Sequence, residues 1–318
     1  MENTWRLGFR TQREEVHDAA LDVEGTLPEW LDGTFVSNGP GQFEVGETPL
    51  EHWFDALAML RGFRIEDGSV RYTNRFVRSD DFRVAREERR IRRSLPGTPA
   101  DGSAFERLYR SLSGAFQDNP SIGVVELDGP LYAVTESPVG FAIDPETLET
   151  TGRRDLTAGL SSDVTLGHTH VEDGVQWGLG ASFGNECTYT LFRRASDGEA
   201  APVTRLVFDE HPPYVHAFAL TERHAVVPEA PFGVDFRRLL LGTPRGATFL
   251  DAFGPRDAPP RFHVLDRATG ERVAAVRTDP FFVYHFANAY ETGDGDVVVD
   301  CVAFPDERAV TGLTLENL

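Results

Sequence analysis

Three of the nine histidines in this chain occupy similar settings. His168 lies in Val164-Thr165-Leu166-Gly167-His168-Thr169-His170, His216 in Tyr214-Val215-His216-Ala217-Phe218-Ala219-Leu220, and His285 in Phe281-Phe282-Val283-Tyr284-His285-Phe286-Ala287-Asn288. Each is set in or against a short apolar, strand-like run. Neutral imidazole ligates iron, zinc, copper or nickel, and a site without thiolate and poor in carboxylate leaves a divalent iron able to bind O₂. Taken singly, each also reads as a core histidine whose ring bonds a backbone carbonyl. It is the matching settings that make the three a candidate set. Alternation along a strand would turn His216 to the face of Tyr214 and Phe218, so imidazoles from separate strands could project inward together. The other six, including His170, His211 and His263, read as structural or surface residues. No Ser-His-Asp or paired-carboxylate arrangement is readable.

The elements that would position these rings are short strands. Thirty glycines and twenty prolines recur in turn clusters such as Leu127-Asp128-Gly129-Pro130 and Gly293-Asp294-Gly295-Asp296, between runs rich in Val, Phe, Tyr and Leu. The histidines are roughly fifty and seventy residues apart, the span of one or two blades of about 40–50 residues. Phe141 to Glu149 and Val264 to Glu271 echo each other as strand, acidic tight turn, strand. A hairpin that returns in the same form points to an all-β chain of radially repeated four-stranded blades rather than a sandwich. Arg83 to Tyr109, dense in Arg and Glu, reads as a solvated loop with a short helix near Phe105–Tyr109, or as a cap over one face.

With 318 residues, 40% hydrophobic and 26% charged, the chain can bury a sizeable core as one large all-β domain. A net charge of −20 repels phosphate backbones and excludes nucleic acid as a partner. There is no lysine: all 31 basic residues are arginine, against 51 acidic ones. That balance reads as a halophilic surface, where salt screens carboxylate repulsion; drift in a GC-rich genome would explain the missing lysine but not the excess acid. Cys187 and Cys301 read as reduced, buried residues. The N-terminus has no apolar run for a signal peptide, and no stretch approaches the roughly 18 apolar residues of a spanning helix. A cytoplasmic location is expected.

Gly33-Thr34-Phe35-Val36-Ser37-Asn38-Gly39-Pro40-Gly41, then His52-Trp53-Phe54-Asp55-Ala56-Leu57-Ala58-Met59-Leu60 and Tyr72-Thr73-Asn74-Arg75-Phe76, resemble the N-terminal signature of carotenoid cleavage oxygenases. Leu131 to Glu136, the segment around His168, Tyr214-Val215-His216 and His285 to Glu291 continue the resemblance in order over essentially the whole chain. The similarity is strongest to the animal-type branch of β-carotene oxygenases and the retinoid isomerase. It implies a seven-bladed β-propeller whose axis carries Fe(II) held by four histidines, the first three matching His168, His216 and His285. Glu136 matches a carboxylate that accepts a hydrogen bond from a ligand ring, here His216. Thr135 matches a position lining the open face where O₂ binds.

Departures from the family pattern are Ser37, Ala56 and Thr169, and the chain ends where relatives continue. The expectation is therefore a single propeller domain, residues 1–318, of about five blades, lacking its C-terminal blades, the fourth ligand and two further glutamates. The implied activity is non-haem iron dioxygenase cleavage of a carotenoid or apocarotenoid. A remnant that binds no iron, a carotenoid-binding protein without cleavage, and an isomerase are the alternatives. The implied partners are an apolar polyene and O₂, with no protein partner. Most of the 23 phenylalanines read as core. Residues 231–253, with Leu239, Leu240 and Leu241 beside Arg237 and Arg238, correspond to a region where relatives meet a membrane peripherally; an ordinary partly buried helix is the other reading.

Overall fold

Turn residues cut the chain into short β-prone runs, and each run pairs antiparallel with its sequence neighbour. The computed structural model describes residues 4–112, 117–183, 186–195, 198–209 and 211–318. In the first sheet β2 (Gly33–Gln42) pairs with β5 (Leu57–Glu66), β5 with β6 (Ser69–Phe76), and β6 with β1 (Ala19–Leu21); β3 (Glu44–Val45) and β4 (Thr48–Pro49) form a side hairpin. Helices α1 (Asp80–Glu87) and α2 (Ala104–Leu112) follow. The second sheet is β7 (Gly123–Glu126), β8 (Leu131–Val134), β9 (Val139–Ile143) and β10 (Thr150–Asp155) in chain order.

The third sheet runs β11 (Val164–Thr165), β13 (Val175–Ser182), β14 (Cys187–Ala195), β15 (Ala201–Phe208), with β12 (His170–Glu172) also on β13. The fourth runs β16 (Ala219–Leu220), β17 (His224–Glu229), β20 (Arg261–Asp266), β21 (Arg272–Arg277). Between β17 and β20 lie the β18 (Phe232–Val234) and β19 (Phe253–Pro255) hairpin and helices α3 (Phe236–Gly242) and α4 (Phe249–Ala252). A last hairpin, β22 (Phe282–Glu291) with β23 (Val297–Phe304), precedes α5 (Arg308–Thr311).

First strands of neighbouring sheets meet, β2 with β7 and β16 with β22, which is the arrangement of β-propeller blades. The described residues make four blades and the hairpin of a fifth. Blades are held face to face by apolar side chains, because each sheet has two faces to cover. Ala58 and Leu60 of the first blade share a core with Ala133, Phe141 and Ile143 of the second. Leu179 and Leu191 of the third share one with Phe218, Val227 and Leu265 of the fourth. Full burial of each large apolar side chain stabilises by roughly 1.5–3 kcal/mol. Glu291, at the far end of the motif that carries His285, ties the fifth hairpin to the fourth blade: it accepts from Thr221 Oγ1 at 2.6 Å and pairs with His224 Nδ1 at 3.0 Å. These and the Arg223 bonds, the Thr221 hydroxyl foremost, hold its carboxyl down to about 2.

The echoing segments are the outer hairpins of the second and fourth blades. Asp144 Oδ1 accepts from Glu146 N, Thr147 N and Thr147 Oγ1, and Asp266 Oδ1 accepts from Ala268 N, Thr269 N and Thr269 Oγ1. One turn chemistry therefore serves both.

The short helix expected near Phe105–Tyr109 is α2, while the stretch before it is less solvated than expected. Phe82, Ala85, Ile91 and Leu95 are buried in one cluster with Val45, Leu57, Met59 and Phe76. Arg93 pairs with Asp81 at 3.1 Å and Asp118 at 3.4 Å. The charged letters hid an apolar face, because arginine stems cover core while their heads find carboxylates.

Candidate metal centre

The three histidines occupy irregular backbone on the first strands of the third, fourth and fifth blades. His168 falls in the gap between β11 and β12, which both pair with β13. His216 precedes β16 instead of lying in a strand, so strand alternation does not aim it. Tyr214 nevertheless joins it at Glu136, whereas Phe218 enters the core between blades. His285 sits in β22 where the register shifts: Val283 opposes Ala303 and Phe286 opposes Cys301. Tyr284 and His285 thus face Val302 alone, a bulge that re-aims a side chain. Regular strands alternate between faces of a blade; reaching past the strand's end toward a shared centre takes a break.

The loop that carries His216 is tightly anchored. Tyr214 N donates to Phe232 O at 3.0 Å, Tyr189 Oη to Pro213 O at 2.7 Å and Arg256 Nε to His211 O at 2.7 Å. Gly233 is required beneath it, since a Cβ there would lie 2.0 Å from Pro212 O.

At the centre, His168 Nε2 lies 3.0 Å from His216 Nε2 and 3.1 Å from His285 Nε2. Proton placement cannot satisfy this cluster with neutral rings. His216 Nδ1 is 2.8 Å from Glu136 Oε1, an acceptor only, so its proton belongs on Nδ1 and Nε2 carries a lone pair. His168 Nε2 can then donate to His216 or accept from His285, but not both. One nitrogen pair always meets without a proton or with two. A cation among the three lone pairs relieves that conflict. For nitrogens about 2.1 Å from a shared ion, separations near 3 Å correspond to angles of about 90°, whereas a tetrahedral set would stand about 3.4 Å apart. Two of the three separations thus suit nitrogens that share one divalent ion.

Desolvation acts on two of the rings. His168 is pushed down to about 3, first by desolvation and then by His216, His285 and His170, which keeps its lone pair free at neutral pH. His285 is also lowered, by desolvation and by His216. Tyr214 Oη donates to Glu136 Oε1 at 2.8 Å, and desolvation followed by the Glu136 charge keeps its phenol protonated.

Thr135 is buried between β8 and Glu136. His170 stands apart from the three, its Nε2 bonding Phe218 O at 2.9 Å, and His263 Nε2 pairs with Glu229 at 2.9 Å in a buried group with Arg256. Sequence reasoning did not single out Tyr284, whose ring packs edge-on against His216 at 5.2 Å. Its only sequence signal was adjacency to His285. An aromatic wall of Phe253, Phe282, Tyr284 and Tyr214 adjoins the cluster. A cleft of about 510 Å³ lies elsewhere, lined by Trp177, Arg193 and Arg267 with acidic neighbours and by none of the three histidines.

The family model described as retinal pigment epithelial membrane protein matches residues 9–318. The chain belongs to this carotenoid oxygenase family. It is 32% identical over 330 residues to a carotenoid isomerooxygenase of Galleria mellonella, covering 98% of the chain and 64% of that protein. It is 31% identical over 334 residues to the β,β-carotene 15,15'-dioxygenase of Gallus gallus, covering 97% and 63%. The chain thus spans less than two thirds of the length of these relatives. Among solved structures, cobalt-substituted Synechocystis apocarotenoid oxygenase superposes with a TM-score of 0.81 at 22% identity, over 95% of this chain and 64% of that one. That likeness establishes the β-propeller fold for this member of the carotenoid oxygenase family.

Proposed function

We propose that the chain holds an iron(II) ion on His168, His216 and His285 and cleaves a conjugated double bond of a carotenoid or apocarotenoid with O₂. The observation that carries this reading is the convergence of three imidazole nitrogens, two of the separations near 3 Å, within reach of one cation. Bound iron would supply the open position at which O₂ is activated. The chain's own residues do the rest. Glu136 accepts a hydrogen bond from Nδ1–H of His216 and fixes its tautomer, aiming the Nε2 lone pair inward. Tyr214 donates to the same carboxylate oxygen and limits its rotation. Thr135 is assigned to the open side by the family resemblance alone, and the aromatic wall keeps water from a rigid apolar polyene. No acid or base side chain is called on.

Domain extent belongs to the same proposal: residues 1–318 act as part of one propeller. Isomerisation is the second reading, supported by the name of the Galleria relative, and polyene binding without cleavage is a third. Anaerobic reconstitution with ferrous iron, then incubation with detergent-dispersed apocarotenoid under labelled O₂, separates them. Labelled aldehyde or ketone is expected, and its loss in His216→Ala. A bound polyene recovered unchanged would overturn cleavage, and a geometric isomer without label would select the second reading.

Residues 231–253 are proposed to contact a membrane peripherally. Phe236 and Leu239 of α3 pack on the core, while Leu240 and Leu241 are exposed. Phe105 and Tyr109, one turn apart on α2, are exposed as well. Arg107 Nη2 bonds Pro244 O at 3.0 Å and brings the two surfaces together. Among the described residues no helix is long and apolar enough to cross a membrane.

A further inference from the structure

His216 has Glu136 to orient its ring, but among the described residues no hydrogen bond reaches Nδ1 of His285, and the ring is exposed. A ligand imidazole is normally aimed through its second nitrogen. Within the described residues the aim of His285 comes from its backbone, the Tyr284–His285 bulge, where the ladder with β23 is broken. What holds the bulge is Tyr284. Its hydroxyl donates to Ala309 O at 3.0 Å in α5. Its ring, 8% exposed, lies edge-on to Phe282 at 4.6 Å, His216 at 5.2 Å, Phe304 at 5.9 Å and Phe54 at 6.2 Å.

The acceptor is itself fixed from across the molecule. The next carbonyl, Val310 O, bonds His52 Nε2 at 2.9 Å, and His52 is fully buried in the first blade. His52 Nδ1 accepts from Phe54 N, so its proton belongs on Nε2. Trp53 N donates to Leu313 O and Leu315 N to Glu51 O, both at 2.9 Å. Two successive carbonyls of α5 therefore join the first blade to the bulge that bears His285.

We infer that Tyr284 is a positioning residue for His285, its hydroxyl anchoring the bulge to Ala309 and, through α5 and His52, to the first blade. This rests on the metal-binding reading of the three histidines. Tyr284→Phe removes one oxygen and keeps the ring. Phe304→Leu, which alters a neighbour of the same ring without touching the hydroxyl bond, is the packing control. Titration with cobalt(II) chloride, followed by visible ligand-field absorption, is run on folded protein well below its melting temperature.

Tyr284→Phe is expected to weaken cobalt binding by roughly tenfold, in line with other losses behind a ligand, and to change the band at saturation. Phe304→Leu is expected to lower the melting temperature while leaving the band and affinity near wild type. Equal affinity and an identical band for Tyr284→Phe would overturn the inference and leave the metal site standing. Equal effects from both variants would reduce Tyr284 to packing and overturn it too. A wild-type titration indistinguishable from that of the triple His→Ala variant would overturn the metal site and this inference together.

Discussion

Glu136 and His216 are 80 residues apart in the chain and 2.8 Å apart in the fold, joined by a carboxylate–imidazole hydrogen bond. The pair links the second blade to the fourth. Because the carboxylate can only accept from Nδ1–H, Glu136→Gln changes which tautomer the site prefers without much change in volume. Metal affinity is expected to fall about 10–100-fold, while His170→Gln, which alters a ring bonded to Phe218 O, leaves it near wild type. Competition titration with a chelating dye reads both. An unchanged affinity in Glu136→Gln would remove the carboxylate from the site's working parts.

Asp81 and Asp118 share the Arg93 guanidinium in the buried ground beneath α1. Burial first, then the Asp118 charge, raises Asp81 to about 7. An unfolded aspartate loses its proton near pH 3.9. Between these values the folded state holds a proton that the unfolded chain has released. The stabilisation is complete below the unfolded pKa and is lost as pH rises through 7, at no more than about 1.4 kcal/mol per pH unit for one proton. Asp81→Asn should therefore gain on the wild type between pH 5 and pH 8 in thermal melts. A wild-type-minus-variant difference that stays constant with pH would contradict this.

The −20 net charge makes the folded state self-repelling at low ionic strength. Salt shortens the reach of that repulsion to about 3 Å at 1 M. Melting temperature is expected to rise with KCl from low to molar concentrations. A flat or falling series by circular dichroism would reject a halophilic surface.

The apolar surface of α2 and α3 predicts binding to zwitterionic phosphatidylcholine vesicles, since the acidic field opposes anionic ones. Leu241→Ser and Phe105→Ser together should abolish co-sedimentation while leaving the melting temperature unchanged, because both side chains are exposed in the free protein (73% and 77%). Equal sedimentation of variant and parent would locate any membrane contact elsewhere.

The histidine set and the all-β blades were legible in the chain because both are local signals: apolar runs with a ring among them, and Asp-x-x-Thr turns whose bonds close within four residues. The buried positions within residues 83–109 were not legible, since whether an arginine is solvated or lies over a core depends on carboxylates such as Asp118, which arrive from elsewhere in the chain. The roles of Tyr284 and His52 were not legible at all. Their bonds run to backbone carbonyls of Ala309 and Val310, and a carbonyl is the same on every residue. The sequence by itself determined which side chains could bind a metal, because ligand chemistry is a property of residue type. Only the tertiary structure decided that they meet, because their convergence depends on a gap, a loop and a bulge, and on anchors from blades far away in the chain.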